Sequence, residues 1–293
     1  MERDIQLLVH RATPLVFGVF AHMAGPDGTR IVRLGGSGIF IAPFQALTAR
    51  HVSRDFFRME SRPDRVTTIT PGYFETEHSC ALFQILEPLQ PTPRQALWQV
   101  DRTWDPMVTD ISFVQVSAEE GDALRNQVQM PTGFFDWSLL PPPIGSQVVM
   151  LGYPKTEIST RGDLMDIGVK YVIQVGHVRE IHELRRDRGM LTFPCFRIDQ
   201  PIDPGFSGGP VFWEGKLCGI VSSDSFGETY AASLWPICLM EYEYPDLGVL
   251  GAKKSFGTLF ENGVLHAADW PAVKDRITKR YDDNHVPYAY ISE

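Results

Sequence analysis

The chain has 293 residues, 43% hydrophobic and 22% charged, which is an ordinary globular balance with enough length for one large core or two small ones. A formal net charge of −9 offers no general basic surface, and this argues against nucleic acid as a partner. The start, Met1-Glu2-Arg3-Asp4-Ile5, lacks the basic-then-apolar layout of an export signal, and no apolar run approaches the roughly 18 residues a membrane span needs. The expected setting is therefore cytoplasmic, with no membrane partner.

Short apolar runs broken by glycine and proline dominate residues 14–238 and read as strands. The first are Leu15-Val16-Phe17-Gly18-Val19-Phe20, Ile31-Val32-Arg33-Leu34 and Gly38-Ile39-Phe40-Ile41. They lead into Leu47-Thr48-Ala49-Arg50-His51-Val52, which sets His51 directly after a β-run. The other seven histidines (His10, His22, His78, His177, His182, His266 and His285) have no such flank and read as surface or satisfied groups. Residues 111–116 alternate as a strand, and Asp110 stands directly before them. Asp105, after Trp104, is the nearest competing carboxylate. Residues 119–127 read as a short connecting helix.

Pro141-Pro142-Pro143 lies within residues 138–146 and cannot sit in a central strand, so it marks an extended connector. Strand character resumes at Val148-Val149-Met150-Leu151. The densest basic stretch, with Arg185, Arg186 and Arg188, reads as a solvated hairpin or loop. Cys80, Cys195, Cys218 and Cys238 are widely spaced, without a metal-ligand pattern. They are expected as reduced thiols in or near the core, and no metal or cofactor is implied. After Cys238 the character changes. Trp270, Val273, Ile277 and Tyr281 recur at helical spacing, with Asp269 as N-cap and Lys279 and Arg280 in the last turn. This predicts a helix over 269–282, packed on the second half of the β-rich region.

Residues 203–210 read Asp203-Pro204-Gly205-Phe206-Ser207-Gly208-Gly209-Pro210. Glycines allow the tight turns that aim backbone N–H groups at one point, where they stabilise a developing oxyanion. Gly205 and Ser207 are the candidate oxyanion donors. Ser207, a neutral hydroxyl, needs a base to act as a nucleophile. His51 suits that task because imidazole titrates near neutral pH, and Asp110 would hold its tautomer.

These segments, in the order His, Asp, Ser, resemble the chymotrypsin-like (trypsin-fold) serine peptidases, most of all the bacterial HtrA/DegP-type branch. That branch shows Thr-Ala-x-His-Val, an Asp-Ile/Leu-Ala-type strand and Asn-Pro-Gly-Asn-Ser-Gly-Gly-Pro. The resemblance implies a mainly β fold of two six-stranded antiparallel barrels with the active site between them. Residues 1–137 would form the N-terminal barrel carrying His51 and Asp110. Residues 138–238 would form the C-terminal barrel carrying Ser207, and residues 239–293 an extension in which the family's PDZ domain is not recognisable.

The resemblance also carries departures. Secreted relatives have a cysteine after the catalytic histidine, where this chain has Val52. Zymogen-activated relatives have an aspartate before the nucleophile, where this chain has Phe206, so activation by N-terminal cleavage is not expected. Arg50 replaces a small residue, and nothing in the sequence explains it. Residues 219–224 match the strand that pairs with substrate, which makes Ser222, Ser223 and Asp224 candidate substrate contacts. Pro201 stands six residues before Ser207, with Asp224 and Glu228 near the specificity pocket's rim and wall. Both a basic P1 residue and a small or medium apolar one stay open. The implied activity is a serine endopeptidase acting on a protein or peptide substrate, of narrow range and controlled by a regulatory protein partner. The alternative is a catalytically silent trypsin-fold module that binds or scaffolds. An α/β-hydrolase esterase is disfavoured, because the Gly-x-Ser-x-Gly elbow and its chain order are missing.

Overall fold

Residues 2–24, 30–56, 78–85, 95–118, 133–154, 157–161, 164–168, 170–225, 227–243 and 253–292 are described by the computed structural model. The helix expected over 119–127 lies outside them. An N-terminal helix, α1 (Glu2–Ala12), buries Leu8 and Ala12 and leads through a short turn of helix into the first strand.

The glycine-broken apolar runs form β1 (Val16–Ala24), β2 (Arg30–Ala42) and β3 (Gln45–Ala49). Helix α2 (Arg50–Phe56) follows, then β4 (His78–Ile85), β5 (Gln95–Trp104) and β6 (Ile111–Ala118). These strands pair antiparallel in the order β1-β2-β3-β6-β5-β4, and β4 returns to β1 to close a barrel. Phe40 packs its ring 4.9 Å from Phe17 and 5.6 Å from Trp98, inside the separations aromatic pairs prefer.

Beyond the proline-rich connector come β7 (Gln147–Gly152), a small hairpin of β8 (Glu157–Arg161) and β9 (Leu164–Gly168), and β10 (Val172–His182). Then follow β11 (Cys195–Ile198), β12 (Pro210–Trp213), β13 (Lys216–Ser225) and β14 (Glu228–Ser233). The second sheet runs β10-β11-β14-β13-β12-β7, and β7 also pairs with β10 from Val172↔Gly152 to His177↔Gln147. Met150, Val178, Phe196 and Val211 are among its fully buried residues. The protein is mainly β, as its sequence indicates. No helix among the described residues is long and apolar enough to cross a membrane.

The C-terminal segment departs from expectation. It forms the hairpin β15 (Glu241–Glu243) and β16 (Lys253–Ser255), the short helices α3 (Thr258–Glu261) and α4 (Trp270–Val273), and a second hairpin of β17 (Ile277–Tyr281) and β18 (Pro287–Ile291). The helix expected over 269–282 is thus one turn long, and its second half is a strand. Turn chemistry explains the difference. Asp282 Oδ1 accepts the N–H groups of Asn284 and Val286, each at 3.0 Å, and His285 adopts a φ of 58°. A side chain that caps its own turn favours reversal over helix. The reversal pairs Ile277 with Ile291 and brings the Arg280 guanidinium to 3.6 Å from the Tyr290 ring centroid. Asp269 does not cap α4 with its side chain; its Oδ2 accepts the Leu140 N–H instead.

The segment packs on the second half of the β-rich region and on the first sheet as well. Phe256 lies 5.4 Å from Phe113 of β6 and 5.9 Å from Trp137 of the connector, and Tyr242 lies 5.4 Å from Phe113. Its buried residues share one core with residues of both sheets, among them Phe113 of the first and Leu151, Phe212 and Leu217 of the second.

Cys195, Cys218 and Cys238 are free and buried. Burial pushes the Cys195 thiol up to about 12 and raises the other two as well. A thiol held protonated is a weak nucleophile. Ellman's reagent is expected to spare these three in the native protein and to reach all four cysteines after denaturation.

Candidate active site

β3 and β6 pair up to Ala49↔Ile111, and the Arg50 N–H extends that ladder by donating to Asp110 O at 2.9 Å. The chain then turns into α2, so His51 stands beside Asp110. Asp110 Oδ1 accepts the His51 N–H at 3.1 Å, and Oδ2 lies 2.8 Å from His51 Nδ1. Ser222 Oγ, from β13 of the second sheet, donates to the same Oδ2 at 2.6 Å. A carboxylate can only accept, so the Nδ1 facing it carries the proton, and the neutral ring keeps its lone pair on Nε2. Asp110 is 8% exposed, whereas the His51 side chain is 45% exposed and reachable from solvent. The competing carboxylate, Asp105, accepts hydrogen bonds from Ser53 and Ser112.

The loop that carries Ser207 consists of two successive tight turns. Phe206 N–H donates to Asp203 O across Pro204-Gly205, and Gly205 has a φ of 99°. Proline second and a positive-φ glycine third define a type II turn. Gly209 N–H then donates to Phe206 O, and Gly208 has a φ of 89°. Phe206 is fully buried in the second sheet's core. An apolar anchor therefore sits where zymogen-activated relatives carry a buried charge.

Ser37 of β2 holds the loop from the first sheet. Its N–H donates to Ser207 O at 2.7 Å and its hydroxyl to Gly205 O at 2.8 Å. The same hydroxyl accepts the Tyr153 N–H, and Thr48 Oγ1 donates to Ser37 O. From the other side Gly208 N–H donates to Val221 O. The Gly205 and Ser207 carbonyls are thus both turned toward Ser37. Among the described residues, the N–H groups of Gly205 and Ser207 have no protein acceptor, and Ser207 Oγ has no hydrogen-bond partner. The Ser207–His51 contact is not formed in this structure. Such contacts commonly tighten only when substrate is bound.

A model of the trypsin-like peptidase domain matches residues 36–220, well over half of the chain. The chain belongs to the trypsin-like peptidase family. A sequence comparison with curated proteins finds no match. Among solved structures it is similar to Rv3671c from M. tuberculosis H37Rv, a serine-to-alanine mutant in an inactive form. That pair has a TM-score of 0.46 and 15% identity over 77% of this chain and 84% of the other. It is also similar to the HtrA-type protease AlgW with a decapeptide, with a TM-score of 0.49 and 16% identity over 77% of this chain and 62% of that one.

Among the residues expected to contact substrate, Ser222 turns its side chain to Asp110. The Ser222 side chain is 2% exposed and its hydroxyl is committed to Asp110, so the contact it offers a substrate is limited to backbone. Val221 faces the second sheet's core, and alternation along β13 puts Ser222 on the opposite face, toward Asp110. Ser223 is half-buried, and Asp224 pairs through its backbone with Thr229. The β12–β13 ladder ends at Pro210↔Ile220, while β14 pairs with β13 as far as Ser225. Beyond Val221, therefore, the described ladders of β13 lie on its β14 side only. Glu228 is met by Arg197 at 2.9 Å, and Arg197 also contacts Glu180 at 2.7 Å. The Tyr230 hydroxyl donates to Glu228 and is pushed up to about 12, mainly by burial and then by that hydrogen bond.

Gly208 shows how tightly the loop is seated. A Cβ there would fall 2.0 Å from Ser37 O, 2.4 Å from Thr48 Oγ1 and 2.9 Å from Ala49 N, at a φ that side chains rarely adopt. Gly208→Ala is expected to lower unfolding free energy by more than about 2 kcal/mol in chemical denaturation.

Proposed function

We propose that the chain is a serine endopeptidase in which Ser207, His51 and Asp110 act as nucleophile, base and orienting carboxylate, in the cleft between two six-stranded barrels. The observation that carries this reading is the 2.8 Å contact between His51 Nδ1 and Asp110, with Ser222 bonded to the same oxygen. It sets the imidazole tautomer that a base needs.

Ser207 Oγ adds to the scissile carbonyl carbon and gives its proton to His51 Nε2. The carbonyl oxygen becomes an oxyanion and takes hydrogen bonds from the Gly205 and Ser207 N–H groups. When the C–N bond breaks, His51 returns the proton to the departing amine and an acyl-serine ester remains. A water, deprotonated by His51, adds to the ester, and Ser207 leaves with its proton restored. Substrate backbone pairs with β13 along residues 222–225. The Arg197 counter-charge on Glu228 favours a small or medium apolar P1 residue over a basic one. Free buried thiols fit a reducing cytoplasmic compartment. A narrow substrate range under a regulatory protein partner fits the loop's distribution of contacts over both sheets.

A fluorophosphonate probe tests this reading. The expected product is a single adduct on Ser207, located by mass spectrometry and lost in His51→Ala. No adduct between pH 6 and 9, about the range over which imidazole loses its proton, or an adduct elsewhere, would count against it.

A further inference from the structure

His51 and Asp110 are carried by different elements, the helix α2 of about two turns and the loop entering β6. A helix of seven residues holds its position by packing and tertiary bonds, not by its own cooperativity. A third carboxylate bridges the two elements. Asp105, just beyond the end of β5, accepts through Oδ1 from Ser53 Oγ at 3.0 Å and from Ser112 Oγ by a short bond. Ser53 lies two residues after His51 on α2, and Ser112 two residues after Asp110 at the start of β6. Both serines have no exposed surface.

The two serines are buried, whereas Asp105 is half-buried and lines a pocket with Trp104, Met240, Glu241 and Lys279; the Trp104 ring lies 5.2 Å from Phe113 and 6.0 Å from Tyr242. Alanine would pack as well as serine at positions 53 and 112. Buried hydroxyls cost stability unless bonded, and two bonds to one carboxylate oxygen tie the elements that carry them into one relative placement.

We propose that Asp105 is a positioning residue for the catalytic pair, a clamp that sets α2 against β6 so that the His51 ring meets Asp110 in the productive orientation. The clamp is backed by the C-terminal segment, whose Tyr242 packs on Trp104 and Phe113. The proposal rests on the triad reading given above.

The test uses the full chain and the fluorophosphonate probe, with the maximal labelling rate separated from the half-saturating probe concentration. Asp105→Ala is expected to lower the maximal rate about tenfold to a hundredfold, the scale of a slightly misplaced catalytic group, with half-saturation unchanged. Asp105→Asn keeps an oxygen that accepts from both hydroxyls, and is expected to recover to within about threefold of the parent. A purely structural role would lower the folded fraction without slowing the folded molecules, so rates are referred to active-site titre. If Asp105→Ala does not fold, Ser53→Ala and Ser112→Ala each remove one of the two bonds to Asp105, and each is expected to slow labelling several-fold. A folded Asp105→Ala with the parent's rate, an Asn variant as slow as the alanine variant, or serine variants at full rate would overturn the clamp. Ser207→Ala serves as the control. If it is labelled like the parent, the triad reading itself falls; if it is silent while Asp105→Ala is normal, only the clamp falls.

Discussion

Ser207→Ala is expected to lower kcat by about 10⁴–10⁶-fold and to abolish fluorophosphonate labelling, while the fold stays intact. The two halves of that expectation rest on different atoms. The loop is held by the backbone of Ser207 and its neighbours: Ser207 O on Ser37, Gly208 N–H on Val221 O, and the buried Phe206 ring. The hydroxyl takes no part in that support, so its removal should shift stability by no more than about 0.5 kcal/mol. The residual rate would come from the N–H donors and from binding, which alanine leaves in place. Peptide hydrolysis at saturating substrate, measured beside a thermal melt of the same preparation, checks both halves. Full hydrolysis by the alanine variant would place the nucleophile elsewhere.

Local segments were the legible part of this chain. Leu47 to Val52 and Thr109 to Val114 set His51 and Asp110 at the ends of strands, and those strands pair side by side to bring the two residues together. Apolar runs mark each segment as a strand, and the resemblance of the motifs, not the runs themselves, implies that the two meet. The contacts between distant residues were not legible. Ser222 reads as one polar position in an alternating strand, and nothing local says that its hydroxyl would meet a carboxylate 112 residues away. Ser37 sits among glycines that suggest a bend, and nothing local says that it would hold Gly205 and Ser207. Asp105 reads as a rival to Asp110, because a sequence cannot show that its oxygen would face two serines. The C-terminal helix failed for a different reason. Trp270, Val273, Ile277 and Tyr281 fit a helical period, but residues 277, 279 and 281 also fit a strand, and the Asp282 turn decides between them.

Asp110→Asn is expected to lower kcat about 10⁴-fold near neutral pH with little change in fold. The hydrogen bonds say which way the new amide will settle. Oδ1 accepts the His51 backbone N–H, a donor that cannot reverse, so the amide NH₂ cannot occupy that side. Oδ2 faces the His51 ring and the Ser222 hydroxyl, and both can exchange donor for acceptor. The NH₂ therefore takes the Oδ2 position. Ser222 rotates to accept, and the imidazole moves its proton from Nδ1 to Nε2. That tautomer presents an N–H to Ser207 where a lone pair is needed, and proton transfer from the nucleophile stops. Binding groups are untouched, so KM should stay within about threefold of the parent. Adding Ser222→Ala leaves the His51 N–H that fixes the amide, so the double variant should stay as slow as Asp110→Asn. Full activity in Asp110→Asn would show that the carboxylate does not set the ring, and would move the orienting role to another group.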